Sequence, residues 1–190
     1  MDKTTWKPGN MLYPAPAVMV TCGDRPENYN IITIAWAANI CSDPAMTSIS
    51  IRPSRYSYGI IQKNREFVIN LTTEKLAFAA DFCGVKSGRS VNKFERLKLT
   101  PIPARQVKAP LIKESPVNIE CKVTRIEKLG THDLFIAEVL CLHADKQYID
   151  RDGAFDLCRA RPICYSHGHY YALGKHLGHF GFSVRKKRRK

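Results

Sequence analysis

The stretch Ser48-Ile49-Ser50-Ile51-Arg52-Pro53-Ser54-Arg55-Tyr56-Ser57 decides how the chain is read. Its first half alternates. Ile49 and Ile51 point to one side of a strand while Ser48, Ser50 and Arg52 point to the other, the period-two pattern of a half-buried β-strand. Pro53 stops that strand, Ser54 is placed to cap a helix, and Arg55 to Ile61 reads as the helix's first turns. Two hydroxyls and a guanidinium therefore lie in a row that runs into a helix N-terminus, where free N–H groups and the helix dipole favour an anion. Arginine adds bidentate, charge-assisted contacts to phosphate. A polar outer face ended by an ordinary cap accounts for the same residues, and on this segment alone the two readings stand level.

Outward from this segment the chain continues in short β-type runs. Ala17 to Cys22 is followed by the turn residues Gly23 to Asn28 and by a second run, Ile31 to Ala38, so a hairpin is expected. Phe67 to Leu71 is another strand candidate, and Thr73 followed by Glu74 to Phe82 is the clearest helix. Lys98 to Pro116 contains four prolines and reads as a long surface loop. From Val117 the alternation Val117, Ile119, Cys121, Val123 against Asn118, Glu120, Lys122, Thr124 predicts an antiparallel strand with one wet face. Leu134 to Leu142 predicts a strand buried on both faces, reached through Gly130. With five or more strands, two short helices and no βαβ rhythm, the expectation is an antiparallel barrel or sandwich, mainly β.

Composition narrows the class. The chain has 190 residues, 44% apolar and 25% charged, which excludes wholesale disorder, collagen and coiled coil. No run reaches the roughly 20 apolar residues of a membrane span, and the start lacks a signal-peptide pattern, so a cytoplasmic protein is expected. The seven cysteines include no CxxC pair, which favours buried reduced thiols over a zinc site or disulfide framework. The net charge is +13, and subtracting the six cations of residues 185–190 leaves +7. Without an aromatic RNA-binding pattern or a helix-turn-helix, a non-catalytic nucleic-acid-binding module is the weaker alternative.

Other motifs add less. Gly84 to Phe94 combines glycines with Lys86, Arg89 and Lys93 and could face an anionic ligand, though a plain connection between helices explains it nearly as well. It is not a P-loop, and no GxGxxG follows a strand. His167, His169, His176 and His179 cluster without a carboxylate beyond Ser166, so no metal is expected. No cysteine adjoins a histidine in the sequence, and no side chain is singled out as catalytic.

Taken together, Tyr13-Pro14-Ala15-Pro16, Asn30-Ile31-Ile32-Thr33-Ile34-Ala35-Trp36, Asp43-Pro44 and Ser50 to Ser57 resemble the flavin reductase-like family with an FMN-binding split β-barrel, in its flavoredoxin-type branch. Cys83-Gly84-x-x-Ser87-Gly88-Arg89-x-x-x-Lys93-Phe94 and Gly168-His169-Tyr170-Tyr171-x-Leu173-Gly174 complete the likeness. It covers about residues 8 to 175, giving a split-barrel domain over 1–175 and a basic tail over 176–190. The resemblance implies a homodimer of Greek-key barrels with FMN near the subunit interface. It implies that Thr33, Ile34, Ala35 and Trp36 present strand backbone and side chains to the flavin ring. Ser50, Arg52, Arg55, Tyr56 and Ser57 would hold the phosphate, and Ser87, Gly88 and Lys93 would close the site. The electron donor stays open between NADH, NADPH and a redox protein, as does the acceptor. A pyridoxamine-phosphate-oxidase-like FMN enzyme is the alternative within the fold. Tyr170 and Tyr171 could form a lid or serve as packing tyrosines.

Overall fold

The computed structural model describes residues 2–184. The cationic end of the expected tail, residues 185–190, lies outside the described residues. The strands are β1 (Ala15–Pro16), β2 (Val18–Cys22), β3 (Asn30–Ile34), β4 (Ala37–Ser42), β5 (Ala45–Ile51), β6 (Glu66–Asn70), β7 (Pro101–Ile102), β8 (Leu111–Ile112), β9 (Val117–Lys128), β10 (Asp133–Ala144), β11 (Ile163–Ser166) and β12 (His169–Ala172). Three helices interrupt them: α1 (Tyr56–Asn64), α2 (Ala77–Val85) and α3 (Lys93–Leu97). Seven strands form one antiparallel sheet in the order β3-β2-β6-β9-β10-β5-β4, which curls into a split barrel. A second sheet is formed by β1-β11-β12.

Alternation builds the two layers. Val18, Val20, Ile32, Ile34, Ile49 and Ile51 point into the barrel with Phe67 and Phe135, while Met19 and Ile31, one position out of phase, meet α2 and α3 through Ala80, Cys83 and Phe94. The expected hairpin is present, with Val18 opposite Ile34. The run Ile31 to Ala38 is not one strand, however. It breaks at Ala35 and Trp36, and the Ser50 N–H donates to the Trp36 carbonyl at 2.9 Å across the break. The chain thus turns from one end of the sheet to the other and leaves these two residues at the rim.

Further expectations need correction. Ser54 does not cap α1: the N-cap is Arg55, which makes no side-chain cap bond. The predicted helix from Glu74 begins as a tight 3₁₀ turn and continues past Gly84 to Val85. The face of β9 expected to be wet is buried at Asn118 and Glu120, because the proline-rich segment folds back over it. Glu120 accepts the backbone N–H groups of Arg105, Gln106 and Val107 at 2.8, 2.5 and 3.0 Å. Those bonds make a carboxylate tolerable at 0% exposure. The segment packs Val107, Ala109 and Leu111 on Val68, so it is a cover with its own small core. Finally, β10 is fully buried at Phe135 and Ala137 but 64% exposed at Leu142. Its pairing with β5 ends at Glu138, and past that point β9 is its one ladder partner among the described residues.

Candidate functional site

Two adjoining cavities open where β3, β5, α1 and α2 converge. The smaller, about 230 Å³, is lined by the cations Arg52, Arg55, Lys86, Arg89 and Lys93, with the Ser54, Ser57 and Ser87 hydroxyls and no carboxylate among the described residues. The first turn of α1, which lacks a side-chain cap, forms part of its wall. Lys93 is buried to 3% exposure, and its Nζ donates to the Ile31 carbonyl at 2.6 Å and the Cys83 carbonyl at 2.8 Å. Burial pulls the Lys93 pKa down, and the nearby Arg55 charge pulls the same way. An ammonium has three donors, so two bonds to carbonyls leave one N–H in excess. Asn30 Nδ2 donates to Ser57 Oγ at 2.7 Å and fixes that hydroxyl. Arg89 lies over the Tyr56 ring, 5.5 Å from its centroid. Gly88 fits here because a Cβ would stand 2.2 Å from Asn30 Oδ1 and 2.7 Å from Tyr56 Cδ1. Such a donor set suits a doubly charged phosphate.

The larger cavity, about 460 Å³, shares Ile32, Arg52, Arg55 and Gly84 with the smaller one. Thr33, Ile34, Ala35, Trp36 and Ser50 line it from the sheet side. Thr33 Oγ1 donates to the Ala80 carbonyl at 2.5 Å, tying β3 to α2. His132, at the start of β10, meets the Trp36 ring edge-on with centroids 4.6 Å apart. Arg52 Nε donates to His132 Nε2 at 3.3 Å. Burial and the Arg52 and Arg55 charges hold the His132 pKa below its ordinary value, so the imidazole is neutral and free to accept. Behind it the Tyr58 hydroxyl donates to the buried Asp133 carboxylate at 2.6 Å and fastens α1 to the β9–β10 turn. Tyr165, Tyr170 and Asp81 complete the lining. Burial, together with the Asp81 charge and hydrogen bond, pushes the Tyr170 hydroxyl up to about 12. The arrangement is a slot that adjoins a cationic pocket.

The structure brings all twelve sequence-selected residues to these cavities. Ser50 and Thr33 to Trp36 line the larger; Tyr56, Ser57, Ser87, Gly88 and Lys93 line the smaller; Arg52 and Arg55 line both. Lys93 lies buried in the wall of the smaller cavity, and Ala35 and Trp36 contribute from the strand break. Of the two tyrosines, Tyr170 lines the slot and Tyr171 does not. Sequence reasoning passed over His132 and Asp81, whose neighbours there come from distant segments. It also missed that Cys141 Sγ lies 3.7 Å from His143 Nε2, since residues two apart on a strand share a face. Glu120 Oε1 lies 2.5 Å from the same nitrogen. Both partners contact one ring nitrogen, so this is not the geometry of a cysteine nucleophile with an oriented base. Burial holds for Cys22, Cys83 and Cys121, whereas Cys41 and Cys158 are exposed and Cys141 and Cys164 are half-buried.

Comparison with known proteins converges on one family. The profile described as the flavin reductase like domain matches residues 10–174. An uncharacterised protein of Archaeoglobus fulgidus is 33% identical over 146 residues, 77% of this chain and 80% of that one. The NADPH-flavin oxidoreductase of Streptomyces viridifaciens is 26% identical over 67% of this chain and 65% of its own length. Among solved structures, the flavoredoxin of Desulfovibrio vulgaris (Miyazaki F) superimposes with a TM-score of 0.88 at 30% identity, covering 97% of this chain and all of that one. The split barrel agrees with these likenesses, and the chain belongs to the flavin reductase-like family of flavin oxidoreductases.

Proposed function

We propose that the protein is a cytoplasmic, homodimeric, FMN-binding oxidoreductase that passes electrons from a reduced donor, NADH, NADPH or a redox protein, through FMN to an acceptor. The observation that carries this reading is the pocket of five cations and no carboxylate opening directly into the slot beside Trp36. A mononucleotide flavin places its one phosphate at such a pocket and its ring in such a slot. Bound FMN supplies a ring that accepts a hydride or single electrons.

The protein's own groups then have distinct tasks. Arg52, Arg55 and the hydroxyls of Ser54, Ser57 and Ser87 hold the phosphate, with the α1 N-terminus adding its dipole. Lys93 closes the inner wall of the cationic pocket, held by the Ile31 and Cys83 carbonyls with one N–H to spare. Ile34, Val85 and Trp36 exclude water from the ring, and the nearby cations favour negative charge developing on it. Electron transfer through the flavin requires no acid–base pair.

The homodimer is supported by a broad, open cavity of about 1030 Å³ running along Gly9 to Pro16, Trp36 and the β9–β10 turn. Met11, Leu12 and Leu129 are 57%, 96% and 64% exposed around it. An apolar surface of this kind, on the rim of the slot, is suited to a second copy.

The test is an absorption and fluorescence titration with FMN, followed by anaerobic addition of NADH and then NADPH. Quenching on binding and bleaching of the flavin band with one nicotinamide is the expected result for a nicotinamide-linked reductase. Flavin that binds yet resists both assigns a protein donor. A protein that stays colourless and leaves FMN fluorescence unchanged refutes the reading.

A further inference from the structure

A second large groove, about 1020 Å³, shares no lining residue with the slot or the cationic pocket. Its walls come from the turn before α2, from α3, and from the segment around Arg159. Lys75, Arg96, Lys98 and Arg159 ring it, all exposed, and none forms an ion pair among the described residues. The two carboxylates in its wall are already engaged. Glu74 pairs with Arg161 at 2.5 Å, and both oxygens of Glu114 accept the Thr100 N–H at 3.1 Å. Phe78, also in its wall, is 76% exposed.

A bare aromatic ring in a wall where cations outnumber carboxylates five to two has the composition of a protein-binding patch, with an apolar anchor surrounded by net positive charge that steers encounter. A small anion is a poorer occupant. The four cations are spread over three segments, all in water, where each binds a lone phosphate weakly, and the groove has no buried donor comparable to Lys93. Long-range steering by several exposed charges instead accelerates the meeting of two macromolecules of opposite sign.

The groove and the slot are joined by one helix. Phe78 projects from the first turn of α2, and Asp81, Gly84 and Val85 of the same helix line the slot. The seven steps from Phe78 to Val85 rise about 10 Å along the helix axis. We propose that the groove is the docking surface of an acidic one-electron carrier protein, which delivers electrons through the α2 side to the flavin. This rests on the flavin reading above. Two reduced carriers each lose one electron to one flavin, and solvent supplies the two protons.

The experiment uses an acidic plant-type ferredoxin as probe. Its binding to the full chain is measured by calorimetry at low and high salt, and flavin reduction by pre-reduced ferredoxin is followed by stopped flow. Binding that weakens steeply with salt, and at least tenfold in Arg96→Glu/Lys98→Glu and in Lys75→Glu/Arg159→Glu, is expected, with reduction slowed in parallel and FMN affinity unchanged. Circular dichroism checks that both variants fold. Absence of ferredoxin binding at low salt, or binding indifferent to both charge reversals, overturns the proposal. So does binding of ADP or pyrophosphate in the groove without binding of ferredoxin. Charge-dependent ferredoxin binding by a protein that fails to take up FMN keeps the docking surface and discards the flavin reading.

Discussion

Arg52 Nε donates to His132 Nε2 at 3.3 Å, joining the end of β5 to the start of β10 across 80 residues of sequence. The bond requires a neutral imidazole, and burial together with the Arg52 and Arg55 charges lowers the His132 pKa to keep it so. An unfolded histidine takes up a proton near its ordinary value of 6.5, whereas the folded one resists, so the unfolded state binds more protons and stability falls as pH drops through that value. Urea unfolding at pH 7.5 and pH 5.5 checks this. The wild type loses stability on acidification, and His132→Gln, which cannot titrate, loses measurably less.

Removing the guanidinium itself addresses the phosphate pocket. Arg52→Ala deletes a charge-assisted contact worth about 1.5–3 kcal/mol, a factor of roughly ten to a hundred in FMN affinity. Fluorescence quenching titration gives the dissociation constant directly. An unchanged constant removes Arg52 from the site.

The legible parts of this fold are those whose cause is local. The alternation of Ile49 and Ile51 with Ser48, Ser50 and Arg52 sets a strand and its two faces within five residues, and the cations of 52–55 and 86–93 announce an anion pocket by residue type. What could not be read depends on chain brought from elsewhere. Asn118 and Glu120 look like a solvent face because the segment that covers them lies upstream, beyond a further strand. His132 carries no signal of its own, since its neighbours Arg52 and Trp36 arrive through the closure of the sheet. Ser54 misled for a subtler reason. It is one residue early, and the chain spends Pro53 and Ser54 on the turn that brings Arg55 to the pocket.

Glu120 gives a prediction about stability rather than binding. Burial pushes its carboxyl up, but the N–H groups of Arg105, Gln106 and Val107 and the His143 ring outweigh this and hold it below the ordinary value of 4.5. The stabilisation is present above that value and is lost as pH falls through the lower, folded-state pKa. Glu120→Gln replaces one accepting oxygen by an NH₂ that faces backbone donors. A loss of about 3 kcal/mol is expected, seen as a lower urea midpoint, with FMN affinity little changed because the residue lines neither the slot nor the cationic pocket.

Gly88 separates shape from charge in the pocket. Its φ is not in the left-handed region, so the requirement for glycine is one of space. A methyl group there would sit 2.2 Å from Asn30 Oδ1, and Asn30 cannot retreat without releasing Ser57 Oγ, which it holds at 2.7 Å. Tyr56 blocks the other side at 2.7 Å. In Gly88→Ala either the 86–92 connection moves outward or the Asn30–Ser57 bond breaks, and both displace phosphate donors while every cation remains. FMN affinity should fall at least tenfold in titration, with the salt dependence of the residual binding unchanged because the charges are the same. If Gly88→Ala binds FMN as the wild type does, the phosphate sits away from the Asn30–Ser57 wall.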